Sequence, residues 1–173
     1  RYFGIIGKGY CIMLNILAVF LGGGIGACAR YMTSILCVNL FKINLPSSLR
    51  RIESNAFYHC SNLIEAILPD SLEFIGESAF MGSGLLSINI PKKVKYINTS
   101  TFSGCEALNT AVLHEELIAI EVSAFLGCKA LSNLTMPSAM KIGKSAFWDC
   151  VSLEHLVLPE NLAELESKAF YGC

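Results

Sequence analysis

The sequence is poor in the groups that carry most catalytic chemistry. It has three histidines in 173 residues, and charged residues make up 16% of the chain. The sequence repeats every 22 or 23 residues, and each histidine occupies a different position of the repeat. We therefore do not expect His59, His114 and His155 to converge on one site. The carboxylates are scattered, with Glu115 and Glu116 as the only adjacent acidic pair. We therefore expect no enzymatic activity.

Motifs for cofactors and metals are missing as well. The glycine-rich run from Gly22 to Gly26 lacks the Lys-Ser/Thr pair of a phosphate-binding loop and does not follow a strand. No C-x₂-C pair with histidines at ligand spacing occurs, which argues against zinc. From Leu45 onward nine Lys or Arg face fourteen Asp or Glu, and this acidic balance argues against nucleic acid. We predict no cofactor, no metal ion and no nucleic-acid partner.

What the sequence does contain is a repeat marked by phenylalanine. The marker residues advance by 23, 22, 23, 22 and 23 positions, and they are Phe57, Phe80, Phe102, Phe125, Phe147 and Phe170. Each copy reads roughly L-P-x-x-L-x-x-I-x-x-x-A-F-x-x-C-x-x-L-x-x-I-x. A period of this length is typical of solenoids, in which apolar residues of successive coils stack. The pattern predicts a solenoid over residues 45–173, with five full coils and one partial coil.

Two segments of each coil have predictable local structure. The pattern L-x-x-[IL]-x-[IL], clearest from Leu153 to Leu158, predicts one short strand per coil in a parallel sheet. The segment around Ala-Phe-x-x-Cys predicts a single helical or 3₁₀ turn with Phe in the interior. Ser83 replaces Cys in one coil, which favours a small buried residue and free thiols at this position. The cysteines concerned are Cys60, Cys105, Cys128, Cys150 and Cys173.

The repeated pattern I-x-x-x-A-F-x-x-C-x-x-L, in register from Leu45 to Cys173, resembles the BspA-like, or Treponema-type, leucine-rich repeat family of bacterial and protist surface proteins. The departures are few: Thr101 for Ala, Ser83 for Cys and His114 for Pro. The resemblance implies a solenoid used for binding and adhesion at a cell surface. It implies no catalytic residues.

Outward-facing residues of the predicted strands form the candidate binding face. A solenoid offers a long, stiff surface whose exposed residues are free to vary. We expect this face to bind a protein partner through Glu65, Ser87, Asn89, Asn109, Thr110, Asn133, Thr135, Glu154 and His155. The same register places apolar residues among them, namely Ile64, Ile67, Leu86, Val112 and Val157. An adaptable interaction or adhesion module at a cell surface is the expected function.

Residues 1–44 differ sharply from the repeats in charge and hydropathy. They carry four Lys or Arg and no acid, whereas the repeats have a net charge of −5. Between Lys8 and Arg30 lie 21 uncharged residues, enough for a helix that crosses a bilayer. We predict an apolar membrane helix or signal-like segment here. A cleavable signal peptide would use Ala27-Cys28-Ala29 as its cleavage site, and a lipoprotein signal would acylate Cys28.

A third interpretation of the same segment rests on a resemblance. Residues 14–31 look like the first transmembrane helix of small bacterial fluoride channels, with a pattern close to G-G-x-x-G-A-x-x-R-Y, and residues 39–44 look like the loop that follows. The likeness ends at Pro46, and one helix cannot build a pore. Only a membrane-helix role is carried over, for Gly23, Gly24, Gly26 and Arg30.

The alternative function is therefore a fragment or fusion of a fluoride-channel-type transporter. The abrupt change near Pro46 suggests that two genes are joined or wrongly assembled. The end at Cys173, in mid-coil, suggests a fragment.

Overall fold

The computed structural model describes residues 41–135, 141–154, 156, 158 and 160–173. In these ranges the chain winds as a solenoid whose successive coils pair in parallel. The predicted solenoid with parallel strands is confirmed. The predicted apolar helix before the repeats, with Gly23, Gly24, Gly26 and Arg30, lies outside the described residues.

The coils use two kinds of strand. Three-residue strands are β1 (Lys42–Asn44), β3 (Glu65–Ile67), β5 (Ser87–Asn89), β7 (Thr110–Val112) and β9 (Asn133–Thr135). Two-residue strands are β2 (Arg51–Ile52), β4 (Phe74–Ile75), β6 (Tyr96–Ile97), β8 (Ala119–Ile120), β10 (Lys141–Ile142) and β11 (Glu164–Leu165). The sheet orders are β1-β3, β5-β7-β9, β2-β4 and β11-β10-β8-β6.

The second kind of strand corrects the prediction of one strand per coil. A two-residue strand is too short to show the alternation by which strands are recognised in a sequence. Its inward residue, such as Ile52, instead looks like one of two apolar residues spaced three apart. The three-residue strands coincide with the predicted pattern, although its clearest example, at residues 153–158, is only partly described.

Strand β1 extends the solenoid toward the N-terminus. It pairs with β3, and Ile43 is buried opposite Ala66. Residues 42–44 are therefore part of the repeat and not the loop of a channel-like segment, and the solenoid begins before Leu45. The solenoid reaches past the predicted boundary because Ile43 fills the inward position that Ala66 fills one coil later.

The segments around each phenylalanine are turns with an alternating hydrogen-bond pattern. The N–H groups of Ala56 and Tyr58 donate within the coil, to carbonyls three residues earlier. Those of Asn55, Phe57 and His59 donate to carbonyls of the next coil. The predicted helical or 3₁₀ turn is wrong, because residues with positive φ, such as Asn55 and His59, rotate alternate N–H groups toward the neighbouring coil.

The core of the solenoid is a column of stacked phenylalanine rings. Neighbouring ring centroids lie 5.0 to 5.6 Å apart from Phe57 to Phe170, and the rings are within 19° of parallel. The five rings from Phe57 to Phe147 are almost fully buried. Because each ring contacts the next, one side chain per coil joins neighbouring coils through the interior.

Candidate protein-binding face

The outward residues of the three-residue strands, together with the exposed residue just before each strand, form one surface, which we call the strand face. Inward positions of these strands are held by buried residues such as Ile88 and Ala111. Alternate residues of a strand point to opposite sides, so the residues before and after them point outward. Parallel pairing sets these outward residues in two columns across β5, β7 and β9. The columns are Ser87, Thr110 and Asn133, and Asn89, Val112 and Thr135.

Most of the predicted binding residues lie on this surface. Ser87, Asn89, Asn109, Asn133, Thr135 and Glu154 are exposed, and Glu65 and Thr110 are half-buried. The Thr110 hydroxyl donates to Asn109 Oδ1 at 2.8 Å, and Lys42 Nζ lies 2.7 Å from Glu65 Oε1. His155 lies outside the described residues. Their role in binding stays a prediction.

Exposed apolar side chains are concentrated in the N-terminal half of the strand face. The exposed fractions are 43% for Ile64, 50% for Ile67, 46% for Leu86 and 48% for Val112. Phe41, just before β1, is 59% exposed and extends the patch by one coil. Sequence reasoning missed Phe41 because it assigned that residue to the membrane-like segment. The signal was present, since residues 37–43 read C-x-x-L-x-x-I like the later coils.

Several charged side chains away from the strand face pair between neighbouring coils. Arg50 Nη1 lies 3.4 Å from Glu73 Oε1, and Lys129 Nζ lies 2.8 Å from Glu106 Oε1. These groups are exposed, so each pair contributes little to stability. On the strand face, by contrast, Ser87, Asn89, Asn109, Asn133 and similar uncharged groups predominate.

The thiols of the repeat are structural groups. Each donates to a phenylalanine carbonyl of the preceding coil, as Cys105 Sγ does to Phe80 at 3.0 Å and Cys128 Sγ does to Phe102 at 3.1 Å. Burial raises the pKa of Cys105 to about 11 and that of Cys150 to about 12. Such thiols stay protonated at neutral pH and are poor nucleophiles.

The predicted free, buried state is confirmed for Cys105, Cys128 and Cys150. Cys173 is also free but exposed, because no described coil covers it. Cys60 corrects the prediction, since it forms a disulfide, with a partner outside the described residues. Cys60 is as fully buried as Cys105, Cys128 and Cys150, so the same buried position holds a bridging cysteine in one coil and free thiols in others.

Sites for other chemistry do not emerge from the described ranges. His114 bonds locally, with Nε2 at 2.8 Å from the Val94 carbonyl oxygen and Nδ1 accepting the Glu116 N–H. Among the residues with described placement, no three His, Cys, Asp or Glu side chains cluster as metal ligands would. No helix in the described part of the chain is both long and apolar enough to cross a membrane.

A family model for the BspA type leucine-rich repeat region matches residues 35–151 and 118–173, so together the matches cover most of the sequence. The chain belongs to this family. The predicted family membership is confirmed, and the BspA-type match begins at residue 35, inside the segment that the sequence had linked to fluoride channels. The fluoride-channel alternative has no support from the family match or the similar structures. No curated protein matches the chain.

Solved structures of similar proteins are also leucine-rich repeat proteins. A leucine-rich cell surface protein from Faecalibacterium prausnitzii is 30% identical, with a TM-score of 0.62 over 75% of this chain and 33% of that one. A leucine-rich repeat protein from T. pallidum is 28% identical, with a TM-score of 0.50 over 76% and 54% of the two chains. The BspA-type chain thus spans one third to about one half of these relatives. Neither is named as an enzyme.

Proposed function

We propose that this BspA-type chain is an interaction module, displayed at a cell surface, that binds a protein partner through the strand face. The observation that carries the proposal is the exposed apolar patch of Ile64, Ile67, Leu86 and Val112, set among polar residues. Contiguous exposed apolar side chains with a polar surround are typical of protein interaction sites. The F. prausnitzii relative, named as a cell surface protein, supports display outside the cell.

Binding through this surface draws on the rigidity of the solenoid. The backbone of the three-residue strands is bonded to neighbouring coils, as in the Asn133 N–H of β9, which donates to the Asn109 carbonyl at 3.0 Å. A partner therefore meets a backbone that is already fixed, and little backbone conformational entropy is lost on binding. A membrane association of the uncharged run between Lys8 and Arg30 would hold this surface near the cell that produces it.

A pair of double variants tests the strand face. The test variant, Leu86→Lys with Val112→Lys, places two charges in the apolar patch. The matched control, Tyr96→Lys with Ile118→Lys, places two charges in the two-residue strand β6 and just before β8, away from that patch. The exposed fractions match closely, at 46% and 48% for Leu86 and Val112 and 46% and 48% for Tyr96 and Ile118. Both variants should fold like the unchanged protein, because all four side chains already meet solvent.

The binding assay uses an array of purified secreted proteins, with affinity for each bound protein then measured by biolayer interferometry. We expect the strand-face variant to weaken binding roughly 30-fold, which corresponds to about 2 kcal/mol, and the control variant to bind as before. Equal loss in both variants, or unchanged binding by the strand-face variant, would show that binding lies elsewhere.

A further inference from the structure

Two Asn-X-Ser/Thr triplets occur in the chain, at Asn98-Thr99-Ser100 and Asn133-Leu134-Thr135. This triplet is the acceptor for N-linked glycans in secreted proteins. Both triplets lack proline at the middle position, so the motif by itself does not separate them. Their surroundings in the solenoid distinguish the two triplets.

The side-chain amide of Asn98 is used in joining two coils. Asn98 is half-buried directly after β6, and its Nδ2 donates to the Ile75 carbonyl of the preceding coil at 2.7 Å. The Asn98 carbonyl accepts from Thr101, at 3.2 Å from N and 2.8 Å from Oγ1. A sugar on Asn98 Nδ2 would have to fit at the junction of the coils, in place of this tight contact.

The side-chain amide of Asn133 is placed differently. Asn133 is an exposed residue of β9 on the strand face. Its strand pairing uses the backbone, with its N–H donating to the Asn109 carbonyl at 3.0 Å. The hydrogen bond from Asn133 Nδ2 to Ser132 Oγ is long, at 3.5 Å. Thr135, which completes the triplet, is exposed on the same face. A glycan here would project into solvent with the coils undisturbed.

We propose that Asn133 is an N-glycosylation site, and that Asn98 is not, when the repeats enter a compartment containing an oligosaccharyltransferase. The donor is a lipid-pyrophosphate-linked oligosaccharide. Asn133 Nδ2 forms a bond to the anomeric carbon, and the bond from that carbon to the pyrophosphate oxygen breaks. The lipid pyrophosphate leaves with the electron pair, and a base of the transferase takes one amide proton. Nothing is oxidised or reduced.

The glycan divides the strand face into two parts. It covers the polar columns around Asn133 and Thr135, while the apolar patch around Ile64 and Leu86 stays open. The inference rests on the proposed display outside the cell, because only an exported chain enters a compartment that contains the transferase. It adds to the proposed function that partner binding by the modified protein is confined to the N-terminal coils.

The test expresses the full chain behind a cleavable secretory leader in cultured animal cells that attach N-glycans. Intact mass is measured before and after peptide N-glycosidase F, and the occupied site is mapped by peptide mass spectrometry. We expect one glycan, at Asn133. Thr135→Ala should abolish it and Thr135→Ser should keep it. Ser100→Gly, which removes the other triplet and suits the positive φ of 55° at that residue, should change nothing.

A glycan on Asn98 in the secreted protein, or an unmodified Asn133, overturns the inference. If secretion is poor, the same two readouts are taken on the protease-resistant protein inside the cells. The partner-binding experiment is run separately on protein from a bacterial strain without the transferase. Failure of the glycan assay is thereby distinguished from failure of the proposed binding face.

Discussion

At the residue scale, the phenylalanine column is the most demanding part of the core. Phe102 is fully buried, and its ring centroid lies 5.6 Å from that of Phe80 and 5.2 Å from that of Phe125. Removing it would leave a cavity that closes poorly, because the stacked coils above and below are fixed by their backbone bonds. Its contribution should therefore be near the upper range for a core aromatic residue.

We expect Phe102→Ala to lower the free energy of unfolding by ~3 to 5 kcal/mol. Equilibrium unfolding in urea, followed by circular dichroism, gives the value. Tyr96→Ala is the control, because that side chain is 46% exposed and should cost far less. A loss below ~1 kcal/mol for Phe102→Ala would contradict the described burial of the ring.

The buried thiols predict a dependence on pH. With the pKa of Cys105 raised to about 11 by burial, its thiolate fraction at pH 8 should be roughly 100-fold below that of an ordinary thiol. Iodoacetamide should label Cys105 and Cys150 far more slowly than exposed Cys173, and at equal rates in denaturant. Peptide mass spectrometry measures each rate. Fast labelling of Cys105 in the folded protein would refute the burial.

The raised pKa of the buried thiols also determines how stability changes with pH. The folded state holds its thiol protons more tightly than the unfolded state, because the pKa of Cys105 and Cys150 is raised. Stability from these groups is complete below the unfolded pKa, near 9, and declines as the pH rises toward 11 and 12. As far as these thiols determine it, the urea midpoint of unfolding should be constant from pH 7 to 8.5 and should fall above pH 9. The double variant Cys105→Ser with Cys150→Ser should show a smaller fall.

At the scale of the structural element, the turn segments depend on glycine for two different reasons. Gly104 has a φ of +69°, and a Cβ there would make an ordinary van der Waals contact with the Gly82 backbone at 3.9 Å. A Cβ on Gly84 would lie 2.0 Å from the Ser61 carbonyl oxygen, which is backbone of the preceding coil. Gly84 therefore permits close approach of two coils, whereas Gly104 permits a left-handed backbone.

Alanine at these two glycines should separate the two effects. Gly104→Ala should cost about 1 to 2 kcal/mol, the usual strain of a left-handed residue with a Cβ. Gly84→Ala should cost more, since relief of the contact requires the Ser61 backbone to move. Urea unfolding of both variants gives the order. The reverse order would mean that the coils at Ser61 and Gly84 are not in close contact.

The same elements show what a sequence can and cannot reveal. The positions of Phe102 and Cys105 within the coil follow from the repeat, because buried side chains must return to the same place in every turn. The two-residue strands and the hydrogen bonds of the turns cannot be predicted in this way, because neither leaves a recognisable pattern of apolar and polar residues in the sequence. The exposed positions of the strand face, such as Ser87, Asn133 and Thr135, could be predicted from the register alone. The sequence did not place Phe41 on the strand face, because the apolar, membrane-like segment before it was taken to extend to residue 44.

At the scale of the whole molecule, the pairings described join each coil to its immediate neighbours. Strand β7, for example, pairs with β5 on one side and β9 on the other. Stability of such an array is a sum over coils and their junctions. Damage in one coil should therefore be felt mainly by the two coils beside it.

Because each coil is bonded to its immediate neighbours, we expect the molecule to extend one coil at a time under force. A coil of 22 or 23 residues stacks at ~4.8 Å per layer but stretches to roughly 75 Å once released. Pulling on the two ends in an optical trap should yield a series of steps near 70 Å, one coil at a time. A single step that releases every coil together would contradict this. In the proposed surface role, release of one coil would lengthen the chain and lower the force on the bound partner, while the remaining coils stay folded and keep their binding residues in place.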